Sequence, residues 1–117
     1  MSVPKNLEEC YDALNHMNIP DRDSWLKDDE KTAMAWAHHG LGMWLRNNWD
    51  LWAVKNSPFW EDTLPGYFNN MGIKHPDDMS SIILTSYHRH MNGKDIELEK
   101  QINDIQNFYK NNKIKKK

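Results

Sequence analysis

The sequence has little cysteine, no long apolar run and no strand-like alternation. Cys10 is the single cysteine, so no intramolecular disulfide bond can form, which fits a reducing compartment and a cytoplasmic protein. No apolar run approaches the roughly 18 residues of a membrane-spanning helix, and no basic-then-apolar leader is visible. No alternation of apolar and polar residues is long enough to predict a strand. We therefore predict one all-α domain over residues 1–117.

Acidic residues are absent after Asp104, whereas basic residues gather at the end of the chain. Residues 1–109 contain 17 acidic and ten basic residues, a net charge of −7, and the last eight residues contain five lysines. Nucleic acid is a poor partner for an acidic body, because phosphates are bound by a basic face. The charge favours a basic protein partner through electrostatic steering, although solubility alone would also explain it.

Helical spacing of apolar residues predicts about five helices, over residues 6–17, 29–52, 65–71, 76–92 and 95–109. The first helix either has Pro4 at its first position or is capped by Asn6, with Glu9 three residues further on. His75 caps or precedes the helix that starts with Pro76 and an acidic pair. Residues 21–29 are acidic and turn-like, with a short helix capped by Asp23 or Ser24 as the alternative. Residues 53–64 are predicted to be a loop with Phe59 and Trp60 packed back.

The segment from about Asp29 to Trp52 is predicted to be the central helix. Its apolar residues, several of them tryptophans, wrap around most of its circumference, which is typical of a buried helix. Gly40 and Gly42 each cost about 1 kcal/mol of helix propensity relative to alanine. We therefore expect a neighbouring backbone or a bound group to approach closely there.

Arg46, Asn47 and Asp50 form a polar cluster within this predicted helix. A buried arginine needs a carboxylate or carbonyl partner, so Arg46 is predicted to pair with Asp77 or Asp78. That ion pair would join two otherwise separate segments of the chain.

A binding role is the alternative interpretation of the same cluster. His39, Met43, Arg46 and Asp50 fall on one helical stripe, which could line a cleft and bind an anionic group. Asn47 lies beside that stripe, and the carboxylates of Asp77 and Asp78 would complete the candidate site.

The histidines have the wrong spacing for a shared metal site. His38 and His39 are adjacent, and His88 and His90 are two residues apart, whereas helical ligands usually lie three or four apart. We therefore predict no metal and no cofactor, with one histidine of each pair in the core and the other at the surface. His88 stays a candidate for ligand or partner contact. No nucleophile elbow, phosphate loop, dinucleotide fingerprint or CxxC motif is present, so no catalytic residue is predicted.

Three segments together resemble a small bacterial domain family of unknown function. They are PKNLEEC at residues 4–10, HHGLGMWLRNNWDLW at residues 38–52 and GYFNNMGIKHPDDMSSIILTSYHRHMNG at residues 66–93. The resemblance covers about residues 4–94, and the helix and lysine-rich tail over about residues 95–117 fall outside it. It implies a shared fold and a set of polar residues, and brings no established activity, cofactor or catalytic residue.

Three hypotheses for the function follow. The first is a non-enzymatic protein-binding module, for instance an immunity or antitoxin protein that neutralises a basic toxin domain. The second is a small-ligand-binding protein or enzyme with a His/Arg/Asp cleft between the two long signature segments. The third is a structural subunit or homodimer, in which either the Trp-rich faces or the final helix packs against a second copy. The apolar stripe of the final helix is made of Ile96, Leu98, Ile102, Ile105 and Phe108.

Overall fold

The computed structural model describes residues 3–53 and 60–115, apart from the side chains of residue 61 and of residues 112–115. Within that part there are seven α-helices, one short 3-10 turn (Trp60–Asp62) and no strand, which confirms the all-α class. The helices are α1 (Leu7–His16), α2 (Arg22–Lys27), α3 (Glu30–His39), α4 (Leu41–Asn48), α5 (Leu64–Asn70), α6 (Pro76–Met91) and α7 (Leu98–Lys115). In the predicted loop, Trp60 is buried, while Phe59 lies outside the described residues.

Of the starts that the sequence leaves open, the structure has Asn6 as the cap of α1 and His75 as the cap of α6. The Asn6 side chain accepts a hydrogen bond from the Glu9 backbone N–H at 2.9 Å, and α1 begins at the next residue. Nδ1 of His75 accepts a bond from the backbone N–H of Asp77 at 3.1 Å, and Pro76 occupies the first position of α6. These bonds satisfy donors that a helix leaves without intrahelical partners, so they fix where α1 and α6 begin.

The central helix is α6, and the prediction of a central Trp-rich helix is corrected. Helix α6 packs against α1, α3, α4, α5 and α7. Its buried residues include the small polar side chains Ser80, Thr85 and Ser86 as well as the large apolar ones. Small side chains let neighbouring helices approach from several sides. The apolar pattern alone therefore underestimated how much of α6 is buried.

The predicted long helix over residues 29–52 is two helices, because the chain breaks at Gly40. The backbone of Gly40 has φ −94° and ψ −90°, and α4 begins at the next residue. In a continuous helix the carbonyl of His38 would accept a bond from the backbone of Gly42. Here that carbonyl accepts a bond from Nη2 of Arg46 at 3.1 Å. The weak helix propensity of glycine and this replacement partner together favour the break. With the additional short α2, the break raises the predicted five helices to seven.

Gly42 lies where α4 crosses its neighbours most closely. A Cβ atom at this position would lie 3.1 Å from Nη1 of Arg46 and 3.2 Å from the Ala37 carbonyl oxygen, with Leu84 of α6 next at 3.7 Å. The expectation of a close approach is therefore confirmed at Gly42. A Cβ at Gly40 would meet nothing within 4 Å, so that glycine marks the break and not a packing contact.

Helix α7 lies on the surface of the bundle, and none of its described side chains is fully buried. Four of the five residues expected to form a dimer stripe, Ile96, Leu98, Ile102 and Ile105, pack partly on the chain's own core. Phe108 is exposed. Lys116 and Lys117 of the predicted tail lie outside the described residues. No helix in the described ranges combines the length and the apolar character needed to cross a bilayer.

Replacing Gly42 with alanine is expected to lower the free energy of unfolding by about 1 kcal/mol or more. The added methyl group would overpack the α4 crossing, which outweighs the better helix propensity of alanine. Urea denaturation followed by circular dichroism measures the change. Gly40→Ala is the matched control and should lose less stability than Gly42→Ala, because its methyl group would meet nothing within 4 Å. Equal stability of Gly42→Ala and Gly40→Ala would contradict the close packing.

Candidate functional site

The guanidinium of Arg46 is held by three acceptors inside the molecule. Its Nε lies 3.3 Å from Oδ1 of Asp77, Nη1 donates to Oγ of Ser80 at 2.8 Å, and Nη2 donates to the His38 carbonyl. Arg46 is only 4% exposed. The predicted ion pair with Asp77 is therefore confirmed as a contact, and it joins α3, α4 and α6 at one point. Because every nitrogen of the fork has an internal acceptor, little of the guanidinium is left for an external anion.

The two adjacent carboxylates at the start of α6 face different neighbours. Asp77, whose side chain is 45% exposed, contacts Arg46 of α4. Oδ2 of Asp78 accepts a hydrogen bond from the hydroxyl of Tyr109 on α7 at 2.6 Å. The carboxylate of Asp78 raises the pKa of Tyr109 to about 12. The pair therefore connects the first turn of α6 to two separate helices.

The helical stripe predicted from His39 to Asp50 does not exist as one surface. His39 is exposed at the end of α3, on the far side of the break from Met43 and Arg46. Helix α4 ends at Asn48, and Asp50 lies in the following turn with a φ of +57°. The stripe assumed an uninterrupted helix, and the break at Gly40 and the early end of α4 remove that premise.

Asn47 and His88 also take separate positions. Asn47 is exposed, and its Oδ1 accepts a bond from Nε1 of Trp52 at 3.2 Å. His88 is buried, with Nε2 3.2 Å from the Trp25 carbonyl oxygen and its ring edge-on to the Trp25 indole. The candidate residues are therefore spread over several parts of the molecule, and Arg46 and Asp77 are the two that the structure joins.

The predicted division of the histidines is right for one pair and wrong for the other. His88 is buried and His90 is exposed, as expected, but His38 and His39 are both exposed because α3 ends there. Among the described residues, no three histidine, cysteine, aspartate or glutamate side chains lie close enough together to hold a metal ion. Cys10 lies in the core, where burial raises the pKa of its thiol.

An apolar groove that the sequence did not predict lies between the α1–α2 loop and the junction of α3 and α4. We call it the indole groove; it encloses about 290 Å³, and its apolar lining is Met17, Ile19, Pro20, Trp36, Leu41 and Trp44. Trp36 is 58% exposed and Trp44 is 42% exposed. These exposures are unusual for tryptophan, whose large apolar surface normally favours burial. Trp36 and Trp44 are eight residues apart, so an uninterrupted helix would also put them on one face. The groove was missed because that helix was predicted to be central and buried.

The α1–α2 loop separates the indole groove from a polar groove. Met17, Asn18 and Ile19 border both grooves, and Asp21 and Asp23 line the polar one. Both carboxylates are exposed, and neither forms an ion pair with another residue in the described ranges. The neighbouring groove is therefore acidic on its open side.

Arg22 lies between these two aspartates and also lines the polar groove. Its guanidinium donates hydrogen bonds to the backbone carbonyls of Leu14, Asn15 and Met17 at the end of α1. A cation in this position complements the negative end of a helix. Arg22 is half-buried with its guanidinium at the end of α1, whereas Asp21 and Asp23 are exposed, so the exposed charges of this stretch are the two carboxylates.

A second ion pair, between Arg89 and Glu30, lies near the C-terminal end of α6 and was not predicted from the sequence. Nη2 of Arg89 donates to Oε2 of Glu30 at 3.0 Å, and its Nη1 donates to the Ile96 carbonyl at 2.7 Å. The hydrogen bond from Arg89 lowers the pKa of Glu30. This contact joins the start of α3 to the connection between α6 and α7, so it positions helices and is not a site.

Most of these features lie in a part of the chain that matches a known sequence family. A family model described as a domain of unknown function (DUF6794) matches residues 3–91, which are α1 to α6. The chain belongs to the DUF6794 family. Helix α7 lies beyond the matched residues, so Tyr109, which bonds to Asp78, lies outside the family domain. No curated protein and no solved structure matches the chain.

Arg46→Ala is expected to lower the free energy of unfolding by about 3 kcal/mol. The change removes a buried charge from its acceptors, empties the space beneath α4 and leaves the His38 carbonyl without its donor. Urea denaturation measures the loss. Lys31→Ala on α3, which removes an exposed positive charge, is the control and should change stability by less than about 0.5 kcal/mol. A fully stable Arg46→Ala protein would show that Arg46 is not a structural residue.

Proposed function

We propose that this protein is a non-enzymatic protein-binding module whose contact surface is the indole groove. Its most specific form is an immunity or antitoxin protein that neutralises a basic toxin domain. The observation that carries the proposal is the pair of exposed indoles of Trp36 and Trp44 beside an open groove. Tryptophan is among the residues that contribute most to protein–protein binding, because one indole buries a large apolar area at low entropic cost.

The polar residues that could have formed an active site are engaged inside the protein or lie apart from one another, which supports a binding role over an enzymatic one. The guanidinium of Arg46 is buried, and each of its three nitrogens contacts an internal acceptor: Asp77, Ser80 or the His38 carbonyl. His88 is buried against Trp25, and His39 lies apart at the end of α3. A general base or an anion site needs such groups to converge on one accessible point. The indole groove is accessible, and its lining is mainly apolar.

The charge of the chain indicates the kind of partner. Residues 1–109 carry a net charge of −7, which would speed association with a basic protein and slow association with an acidic one. A basic toxin domain fits this requirement, and an apolar contact at the centre of an acidic surface would give a slow dissociation rate.

Affinity capture with Trp36→Ser/Trp44→Ser tests the proposal. The wild-type chain, immobilised in a lysate of its source cells, should retain one basic protein in stoichiometric amount, and the double variant should lose it. The captured protein, once purified, should bind the wild type at least about 100-fold more tightly than the variant by isothermal titration calorimetry. Under the antitoxin form of the proposal, the same protein arrests growth when produced without this chain.

Trp52→Ser is the matched control for that experiment. Trp52 is 55% exposed, like the groove residues, but it lies beside His75 and does not line the groove. The control should therefore capture as much partner as the wild type does. Capture that survives the loss of Trp36 and Trp44, or no stoichiometric partner at all, would refute the proposal.

A further inference from the structure

We propose that the indole groove recognises a basic segment of the partner, in which an apolar residue lies next to lysine or arginine. This inference rests on the proposed function and states what kind of partner segment the groove binds. The apolar side chain would lie between the indoles of Trp36 and Trp44, and the cation would reach the carboxylates of Asp21 and Asp23. Two adjoining grooves of different polarity carry the inference.

The apolar half of the proposed recognition follows from the groove lining. Trp36 and Trp44 come from opposite sides of the Gly40 break, and the Met17–Pro20 stretch forms the facing wall. A space of about 290 Å³ is small, so it fits one or two side chains and not the face of a whole helix. We therefore infer that a short extended segment or loop inserts there.

The cationic half follows from the acidic loop at the border. Asp21 and Asp23 are exposed, and the intervening Arg22 is held by the carbonyl end of α1. A partner lysine or arginine could contact these carboxylates without displacing an internal ion pair. The faces of the neighbouring indoles also attract cations, so the border between the grooves favours positive charge on both sides. An acidic or phosphorylated segment would be repelled from the same place.

Nuclear magnetic resonance with probe peptides tests this specificity without knowledge of the natural partner. Three acetylated and amidated hexapeptides are titrated into the full chain: Leu-Lys-Leu-Arg-Leu-Lys, its acidic match Leu-Glu-Leu-Asp-Leu-Glu, and the hydrophilic Ser-Lys-Ser-Arg-Ser-Lys. The first peptide should shift the indole N–H signals of Trp36 and Trp44, and neither of the other two should. Its affinity should fall as salt rises, because part of the contact is electrostatic.

Asp21→Asn/Asp23→Asn isolates the contribution of the carboxylates. Asparagine keeps the side-chain shape, and it tolerates the positive φ of 55° at position 21. This variant should bind the basic apolar peptide about fivefold or more weakly at low salt. Glu99→Gln/Asp104→Asn on α7 removes the same net charge away from the groove and should bind as the wild type does.

The outcomes separate this inference from the proposed function. Equal binding of the acidic and basic apolar peptides, unchanged affinity in Asp21→Asn/Asp23→Asn, or no shift of either indole at millimolar peptide would overturn it. The function would survive each of these results if capture of the natural partner still required Trp36 and Trp44. If the natural partner is captured without Trp36 and Trp44, the proposed function is refuted regardless of the peptide results.

Discussion

The three-way contact of the Arg46 guanidinium determines much of the rest of the structure. Its bond to the His38 carbonyl takes the place of a helical bond and closes α3, while its contacts to Asp77 and Ser80 hold α4 on the central helix α6. A buried arginine is tolerated because each edge of the fork has an acceptor. The lining of the indole groove includes neither Arg46 nor its side-chain partners Asp77 and Ser80. The internal contact and the external groove therefore involve separate residues.

The two carboxylates in the first turn of α6 contact different parts of the chain, one inside the family match and one in α7. Asp77 contacts α4, which lies inside the matched residues 3–91, and Asp78 contacts Tyr109 of α7, which lies outside them. Helix α7 contributes no fully buried side chain among its described residues, although Leu98, Ile102 and Ile105 pack partly on the core. Every buried residue in the described ranges lies between Pro4 and His88, and α7 covers part of that core from outside.

Local signals in the sequence predicted the helix starts, and tertiary contacts decided what the sequence could not show. The caps at Asn6 and His75 and the pairing of Arg46 with Asp77 follow from short-range chemistry and from the cost of a buried charge. The prediction of a continuous helix over residues 29–52 was wrong. The helical spacing of apolar residues is the same on both sides of Gly40, so the spacing alone does not show that the chain changes direction there. The groove was missed because the segment that carries Trp36 and Trp44 was predicted to be a buried central helix, whereas both indoles are exposed. The central role of α6 depends on small serine and threonine side chains, which a hydrophobic pattern counts as polar.

A double-mutant cycle between Arg46 and Asp77, read out in both stability and partner binding, tests the central claim most directly. Arg46→Gln, Asp77→Asn and the combined variant are compared with the wild type in urea denaturation and in titration with the captured partner. The account predicts a coupling of about 1 kcal/mol or more in the free energy of unfolding and unchanged partner affinity in every variant that remains folded. Negligible coupling in stability, together with a loss of affinity in each single variant, would show that Arg46 and Asp77 form the binding site and that the indole groove does not.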